Sequence, residues 1–281
     1  MNRVLTTVTV VIAMSCVLSM PAVAQSREFN DTVPLSAGGL LRVEGSKGSI
    51  TITSWDREEV EIRARIEASD DLDDDYARRT VDAAKVDVRG TTQSVTILSN
   101  YDDVPRQSSF WSRDSRSVPS IHYVIRAPRQ VNLSVEADRG PTALTGFDGR
   151  ITLDADRGDL DLRDLNGEIR IVVDRGSESR LSGIRGSFDI EADRTNVWMQ
   201  DVVIDGTSRI EVDRGDVEVE IGASQGLALR ANLSRRAEFD SEPTLTLTSL
   251  GREHLRGTIN GGGPELHIEA DRSSVRLSTV P

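Results

Sequence analysis

The stretch Ile151-Thr152-Leu153-Asp154-Ala155-Asp156-Arg157-Gly158-Asp159-Leu160-Asp161-Leu162 decides the fold. Apolar residues occupy every second position on both sides of its Asp-Arg-Gly phrase. Alternation with a period of two is typical of a strand with one buried face and one face in water. Asp and Gly between two such segments are typical of a tight turn. The stretch therefore predicts a strand, a tight turn and a second strand.

The same phrase recurs along the chain, as Ala-Asp-Arg or Val-Asp-Arg followed by a small residue. The turn residues of its six copies are Asp138, Arg139, Gly140, Asp156, Arg157, Gly158, Asp174, Arg175, Gly176, Asp193, Arg194, Asp213, Arg214, Gly215, Asp271 and Arg272. The first five aspartates are almost evenly spaced, and Asp271 then follows Asp213 at close to three further periods. A degenerate copy at Ala231-Asn232-Leu233-Ser234 follows Asp213 by one period.

A repeat of about 19 residues is too short to contain a helical crossover between parallel strands, and it suits one coil of a solenoid. We expect an all-β fold: a single-chain parallel β-solenoid, or β-helix, of coils of about 19 residues stacked about 4.8 Å apart. A sandwich or an antiparallel barrel is the alternative, but neither requires one phrase at one turn. In a solenoid Gly would supply positive φ, Asp would accept turn N–H bonds, and stacked Arg would offset stacked Asp. This predicts a structural turn ladder.

Residues 1–24 differ from the rest of the chain. Arg3 precedes an apolar run, and Ala22-Val23-Ala24 predicts cleavage between Ala24 and Gln25, as in a secretory signal peptide. The lone Cys16 lies in this segment; an acylated Cys16 is the alternative, although Ala13-Met14-Ser15 is a poor lipoprotein motif.

Removing the leader takes away Arg3, its only charged residue, and shifts the net charge from −12 to −13. Such a chain is repelled by phosphate backbones and anionic lipid, so we expect neither nucleic acid binding nor direct membrane insertion. The expected location is the periplasm, or the medium or cell surface after secretion.

The mature chain divides at residue 130 in this interpretation. Residues 25–130 hold irregular N-terminal β coils, a helical insertion at 69–86 and a long loop at 102–119; residues 131–281 hold the regular repeats. Ser46-Lys47-Gly48 replaces Asp-Arg-Gly in a first coil. The acidic start of the helix suits its positive end, and the helix is expected to cover an open end of the stack.

This layout resembles the bacterial putative-adhesin domain family, known as a domain of unknown function. The resemblance rests on Gly-Ser-Ile-Thr-Ile at 48–52, on Tyr-Val-Ile-Arg-Ala-Pro at 123–128, and on tandem coils from about residue 131. It implies a secreted or envelope-associated β-solenoid and supplies no catalytic residues. The strong Asp-Arg ladder departs from the family pattern.

A nucleophile motif competes with this interpretation. Gly222-Ala223-Ser224-Gln225-Gly226 matches G-x-S-x-G, and Asp240 and then His254 or His267 follow in triad order. The motif functions at a strand-to-helix turn, whereas this segment lies between two predicted strands. A glycan-acting hydrolase or lyase on a β-helix scaffold is therefore the alternative function, and we predict no enzyme.

Two other motifs have simpler explanations. The acidic run at 70–75 suggests calcium but lacks the glycine and spacing of an EF-hand loop. The Arg-Gly-Asp tripeptides at 157–159 and 214–216 arise because the repeat supplies Arg-Gly. We predict no metal site and no cofactor.

Aromatic residues are scarce, with three Trp, three Tyr and five Phe. Trp198 is predicted to point outward, and Phe110 and Trp111 lie in the long loop; the three are candidate partner contacts unless neighbouring loops cover them. The sequence thus predicts a non-enzymatic adhesion, binding or structural module. Its partner would be an unidentified envelope or extracellular component, either protein or glycan.

Overall fold

The computed structural model describes residues 26–69, 72–105, 118–176 and 178–280. In these residues the chain forms one helix, α1, and 23 strands. The elements are β1 Ser26–Pro34, β2 Leu40–Gly45, β3 Ile50–Trp55, β4 Glu59–Glu67, α1 Asp74–Ala83, β5 Lys85–Gly90, β6 Ser94–Asn100, β7 Ser120–Pro128, β8 Asn132–Arg139, β9 Thr142–Thr145, β10 Asp148–Arg157, β11 Leu160–Arg163, β12 Asn166–Asp174, β13 Glu178–Ser182, β14 Arg185–Asp193, β15 Asn196–Ile204, β16 Ser208–Asp213, β17 Val217–Gly222, β18 Leu227–Leu233, β19 Glu238–Ser241, β20 Leu245–Leu250, β21 His254–Ile259, β22 Glu265–Asp271 and β23 Ser274–Val280.

The strands form two hydrogen-bonded ladders, which we call ladder A and ladder B. Ladder A runs β1-β4-β7-β3-β9-β11-β13-β15-β17-β23-β19. Ladder B runs β5-β6-β2-β8-β10-β12-β14-β16-β22-β18-β21-β20. A short pairing of β14 with β15 joins the two. The chain alternates between the ladders through the regular repeats.

The all-β class with one short helix is confirmed, but the sheet is mixed and not parallel throughout. Pairing is parallel from β7 to β19 in ladder A and from β6 to β18 in ladder B. The outer pairs β1–β4, β4–β7, β5–β6, β18–β21 and β20–β21 are antiparallel. For β5–β6 and β20–β21 the reason is local: short turns at 91–93 and 251–253 join these consecutive strands as hairpins, which only antiparallel neighbours allow.

The strands near both ends of the ladders pair out of chain order. Asp213 pairs in register with Asp271, so the prediction of three further periods between them was wrong. The chain leaves the stack after β17, forms β18 to β21 beyond it, and returns to insert β22 between β16 and β18. Leu233 aligns with Ala270, so Ser234 takes the Asp position of the repeat, and not Asn232 as the degenerate copy predicted.

Inward positions of the two ladders form one core. In ladder B, for example, Ile171 is 1% exposed and lies in register between Leu153 and Ile190. Burying one such side chain contributes about 1.5–3 kcal/mol. Tyr123 is the largest fully buried side chain; burial raises the pKa of its phenol to about 12, while the hydroxyl shares a 2.8 Å hydrogen bond with Ser99.

Helix α1 is shorter than the predicted insertion at 69–86, because β5 already begins at Lys85. The Asp73 carboxylate accepts a 2.9 Å hydrogen bond from the Tyr76 backbone N–H and caps the helix. Tyr76, Ala77, Thr80 and Val81 are buried, and α1 contacts β1, the outermost strand of ladder A. The helix therefore lies beside the outermost strand of ladder A, and its role as a cover for an open end stays a prediction.

The turn glycines agree with the prediction only in the first two turns, where Gly140 and Gly158 have positive φ, 125° and 156°. In the later turns the residue with positive φ is arginine, at Arg175, Arg194, Arg214 and Arg272, with φ between 54° and 60°. Glycine is also needed for close approach: a Cβ on Gly158 would lie 2.0 Å from the carbonyl oxygen of Gly140 in the neighbouring turn. An arginine in this conformation costs roughly 1–2 kcal/mol, which the ion pairs described below help to offset.

Candidate functional site

The Asp-Arg turns form a continuous column of ion pairs along one edge of the stack. Each arginine from the third turn onward binds its own aspartate and that of an adjacent coil. Arg194 lies 2.8 Å from Asp193 and 3.1 Å from Asp174, and Arg214 lies 3.0 Å from Asp213 and 2.9 Å from Asp193. Arg175 joins Asp174 to Asp156, and Arg272 joins Asp271 to Asp213.

These pairs change the acidity of their members. The Arg157 guanidinium, followed by that of Arg175, holds the pKa of Asp156 below its ordinary value. The Ser234 hydroxyl, and then Arg272, lower the pKa of Asp271. Because the side chains are about one-third to one-half exposed, water screens each pair and keeps its contribution to stability small. The column neutralises its own charge and leaves little for a ligand.

The outer face of ladder A carries a different surface, which we call the outer strip. It is the outward column Val124, Thr51, Ala143, Asp161, Arg180 and Trp198, in register across six adjacent strands. At about 4.8 Å per strand the strip is about 24 Å long. Val124 is 51% exposed and Trp198 is 38% exposed, so both ends of the strip present apolar surface to solvent.

Two shallow depressions follow the strip. The first, of about 640 Å³, surrounds Val124 and is rimmed by Arg63, Arg65 and His122. The second, of about 260 Å³, includes Thr51, Ala143, Asp161 and Arg180. The small side chains in the middle of the strip leave these hollows between longer, charged neighbours.

The charged residues of the strip form ion pairs with residues two positions away on their own strands. Arg163 binds Asp161 with contacts of 2.7 and 2.6 Å, and this hydrogen bond raises the pKa of the arginine. Arg180 binds Glu178 at 2.7 Å. Asp161 and Arg180 thus offer hydrogen-bonding groups without net charge, a surface suited to a neutral polar ligand.

One histidine beside the strip is part of a hydrogen-bonded group. The Ser49 backbone N–H donates to His122 Nδ1 at 3.3 Å, and Ser49 Oγ lies 3.0 Å from the same nitrogen. The other ring nitrogen, Nε2, lies 3.5 Å from the Glu67 carboxylate. The order serine, histidine, carboxylate is that of a hydrolytic triad, but the N–H of Ser49 is engaged with the imidazole and not with an oxyanion position.

The predicted partner contacts fall into two groups. Trp198 lies on β15 and points outward, in the strip just described. Phe110 and Trp111 lie outside the described residues, as do Ala24 and Gln25 of the expected cleavage site. Their proposed roles stay predictions.

The nucleophile motif does not have the required context. Ser224 lies in the turn between β17 and β18, so a strand follows it where a helix is needed. Within the described residues no hydrogen bond joins Ser224 to Asp240, His254 or His267. His267 instead lies 3.0 Å from Asn232 and 3.4 Å from Glu269.

The two remaining motifs are occupied by structural contacts. Asp73, in the acidic run, caps α1. The arginines of both Arg-Gly-Asp tripeptides belong to the column of ion pairs, Arg157 with Asp156 and Arg214 with Asp213. In the described part of the chain no group of three or more His, Cys, Asp or Glu side chains is arranged to hold a metal ion. None of the helices there is long and apolar enough to cross a membrane.

Sequence reasoning missed most of the outer strip. Val124 gave a local signal, because it is an apolar residue at an outward position between inward Tyr123 and Ile125. The sequence contains no signal that Val124 aligns with Trp198, because the alignment depends on β3, which pairs between β7 and β9 out of chain order.

Comparison with known proteins finds likeness in structure only. Neither a protein-family model nor a curated protein sequence matches this chain. A putative cell adhesion protein from Clostridium sporogenes is 11% identical, with a TM-score of 0.38, and the match covers 91% of this chain and 100% of that one. A putative adhesin from Bacteroides fragilis is 10% identical, with a TM-score of 0.27 over 90% and 97%. A putative lipid binding protein from Parabacteroides distasonis is 10% identical, with a TM-score of 0.28 over 92% and 98%. The class named for the first two is the one that the sequence resembles.

Proposed function

We propose that this chain is an exported, non-enzymatic binding module of the cell envelope or its surroundings, and that the outer strip of ladder A is its binding surface. Export rests on the leader at residues 1–24 and on the predicted cleavage after Ala24. The ligand proposed is an extended, neutral polar polymer, such as a glycan strand. The turn ladder serves as the scaffold.

We further infer that the two ladders are opposite walls of a solenoid. The registers of Ile151 with Ile169, Ile169 with Phe188 and Ile190 with Ile210 each advance by one period of the Asp-Arg repeat, which supports coils of the predicted length. The division at residue 130 stays a prediction. Stacking of this kind gives a long, straight face, which is useful for contact with a polymer.

The observation that carries the proposal is the composition of the outer strip. Val124 and Trp198 are exposed on a protein whose other outward positions are mostly charged. Aromatic rings stack on the apolar faces of sugars, and Asp161 with Arg180 can hydrogen-bond hydroxyl groups between the two apolar ends. A length of about 24 Å accommodates several units of an extended chain.

The hydrolase alternative has one observation in its favour, the group formed by Ser49, His122 and Glu67. The geometry of that group supports an ordering role better, because the Ser49 N–H holds the imidazole. A hydrolase or lyase would release soluble fragments from a glycan, whereas a binding module leaves it intact.

Retention by envelope fractions tests the function. Purified protein is incubated with peptidoglycan, outer membrane and soluble periplasm, and bound protein and released fragments are measured. We expect one fraction to retain the protein without fragment release, and Trp198→Ala to weaken retention by at least about fivefold, since truncating an aromatic contact costs roughly 1–3 kcal/mol.

The matched control is Leu40→Ala, which removes a side chain of similar exposure, 40%, from the outer side of ladder B. Leu40→Ala should retain full binding. The proposal fails if no fraction retains the protein, if fragments are released, or if both variants lose binding equally.

A further inference from the structure

The two ends of the stack are finished differently. At one end α1 packs beside the stack and contacts β1, the outermost strand of ladder A. At the other end β20 is the outermost strand of ladder B and, among the described residues, pairs on one side only, with β21. Leu247 and Leu250 of this strand are 48% and 69% exposed, the latter the most exposed large apolar side chain in the described residues.

These leucines lie on the core side of the strand. Leu245 pairs with the buried Ile259, Leu247 with the buried Gly257, and Leu250 with Leu255. Leu245 packs against the core. Leu247 lies on the same face of β20, but it is exposed to solvent. An open edge with exposed leucines is a template for addition of another strand.

The edge is uncharged, unlike the other outermost strands. Residues 244–250 contain only Thr, Leu and Ser, whereas β1, β5 and β19 each carry acidic residues. The surrounding segment 227–264 contains five arginines and four carboxylates, in a chain whose net charge is −12. Charge repulsion between two copies of this acidic protein is therefore weak at this end.

The edge sequence is also self-complementary. Thr244-Leu245-Thr246-Leu247-Thr248 reads the same in both directions. An antiparallel, two-fold pairing centred on Thr246 places Leu247 opposite Leu245 of a second copy and Thr246 opposite itself. Aliphatic and Thr–Thr cross-strand pairs are both favourable. The irregularity between Leu247 and Ser249 falls at Thr248, so the regular part of the edge is Leu245, Thr246 and Leu247.

We propose that the protein forms a two-fold homodimer through β20, in which ladder B continues from one copy into the other. The pairing covers Leu247 and satisfies the free edge of ladder B in both copies. Since each copy uses the same patch, the assembly closes at two chains and does not polymerise. The dimer would present two outer strips at opposite ends of one elongated particle.

Molar mass in solution tests this proposal, by sedimentation velocity over a concentration series. Wild-type protein should sediment as a dimer. Thr246→Lys places like charges opposite each other at the centre of the pairing and should weaken association several-fold. The control is Thr32→Lys, which puts the same charge at an exposed position of the outermost strand β1 and should leave the dimer intact.

A cross-link locates the contact without relying on loss of association. In a Cys16→Ser background, Thr246→Cys should form a disulfide-linked dimer under mild oxidation, because directly opposite residues approach within disulfide range. Thr32→Cys should not. A monomeric wild-type protein would overturn the proposal and point to a strand from another protein. The proposal would also be overturned by a dimer that persists in Thr246→Lys and is not cross-linked through Thr246→Cys, because its interface would lie elsewhere.

Discussion

Gly158→Ala is expected to lower the free energy of unfolding by several kcal/mol, although it adds a single methyl group. The new Cβ would lie 2.0 Å from the carbonyl oxygen of Gly140 and 2.6 Å from its carbon, both of them backbone atoms that cannot rotate away. The two coils would have to separate, which breaks hydrogen bonds along both ladders. A cost of about 3 kcal/mol or more is reasonable for such overpacking.

Gly222→Ala is the matched control, because nothing lies within 4 Å of a Cβ at that position. It should change stability by no more than about 0.5 kcal/mol. Urea unfolding followed by circular dichroism gives both values. Equal, small effects of the two substitutions would mean that adjacent coils are not stacked as closely as the ladders require.

Ile171→Asp is expected to leave the protein largely unfolded. Ile171 is 1% exposed, in register between Leu153 and Ile190, and a carboxylate there would have no partner. The lost burial and the unpaired charge together cost about 5 kcal/mol, comparable to the whole stability of many domains. The readout is the far-ultraviolet spectrum and the elution volume of the purified variant.

Val172→Asp makes the same kind of change one residue along, on the outward side of β12, and should leave the protein folded. Asp174→Asn, which weakens the column of ion pairs, should cost no more than about 1–2 kcal/mol. A folded Ile171→Asp variant with a normal unfolding transition would contradict the inward assignment of this column.

Local pattern was sufficient for the faces of the strands. Period-two alternation around each Asp-Arg phrase correctly predicted that Ile171 is buried, because burial of every second side chain is a property of one strand and its two neighbours. The acidic start at Asp73 likewise predicted a helix, because capping depends on residues within one turn.

The alternation pattern could not predict which distant segments of the chain pair with each other. The segment between Asp213 and Asp271 fits three periods in length, yet the two aspartates are neighbours, because the chain forms β18 to β21 beyond the stack before it returns. Because of the same detour through β18 to β21, Ser234 and not Asn232 occupies the Asp position of the repeat. Spacing along the sequence measures chain length and does not determine the order in which coils stack.

The outer strip was unpredictable for a related reason. Trp198 could be identified alone, as an outward aromatic residue, but Val124, Thr51 and Ala143 become its neighbours only through β3, which stands out of chain order in ladder A. The G-x-S-x-G pattern at Ser224 does not indicate a nucleophile here, because a five-residue pattern does not determine whether a helix or a strand follows it.

The most direct test of the binding surface is a comparison of Ala143→Gln with Ser134→Gln in the envelope retention assay. Both changes place a long uncharged side chain at an outward, half-buried position of consecutive strands, β9 in ladder A and β8 in ladder B. Ala143→Gln fills the middle of the outer strip and should abolish retention, while Ser134→Gln should bind as the wild type does. Full retention by Ala143→Gln, or loss of retention by Ser134→Gln alone, would contradict the assignment of binding to ladder A.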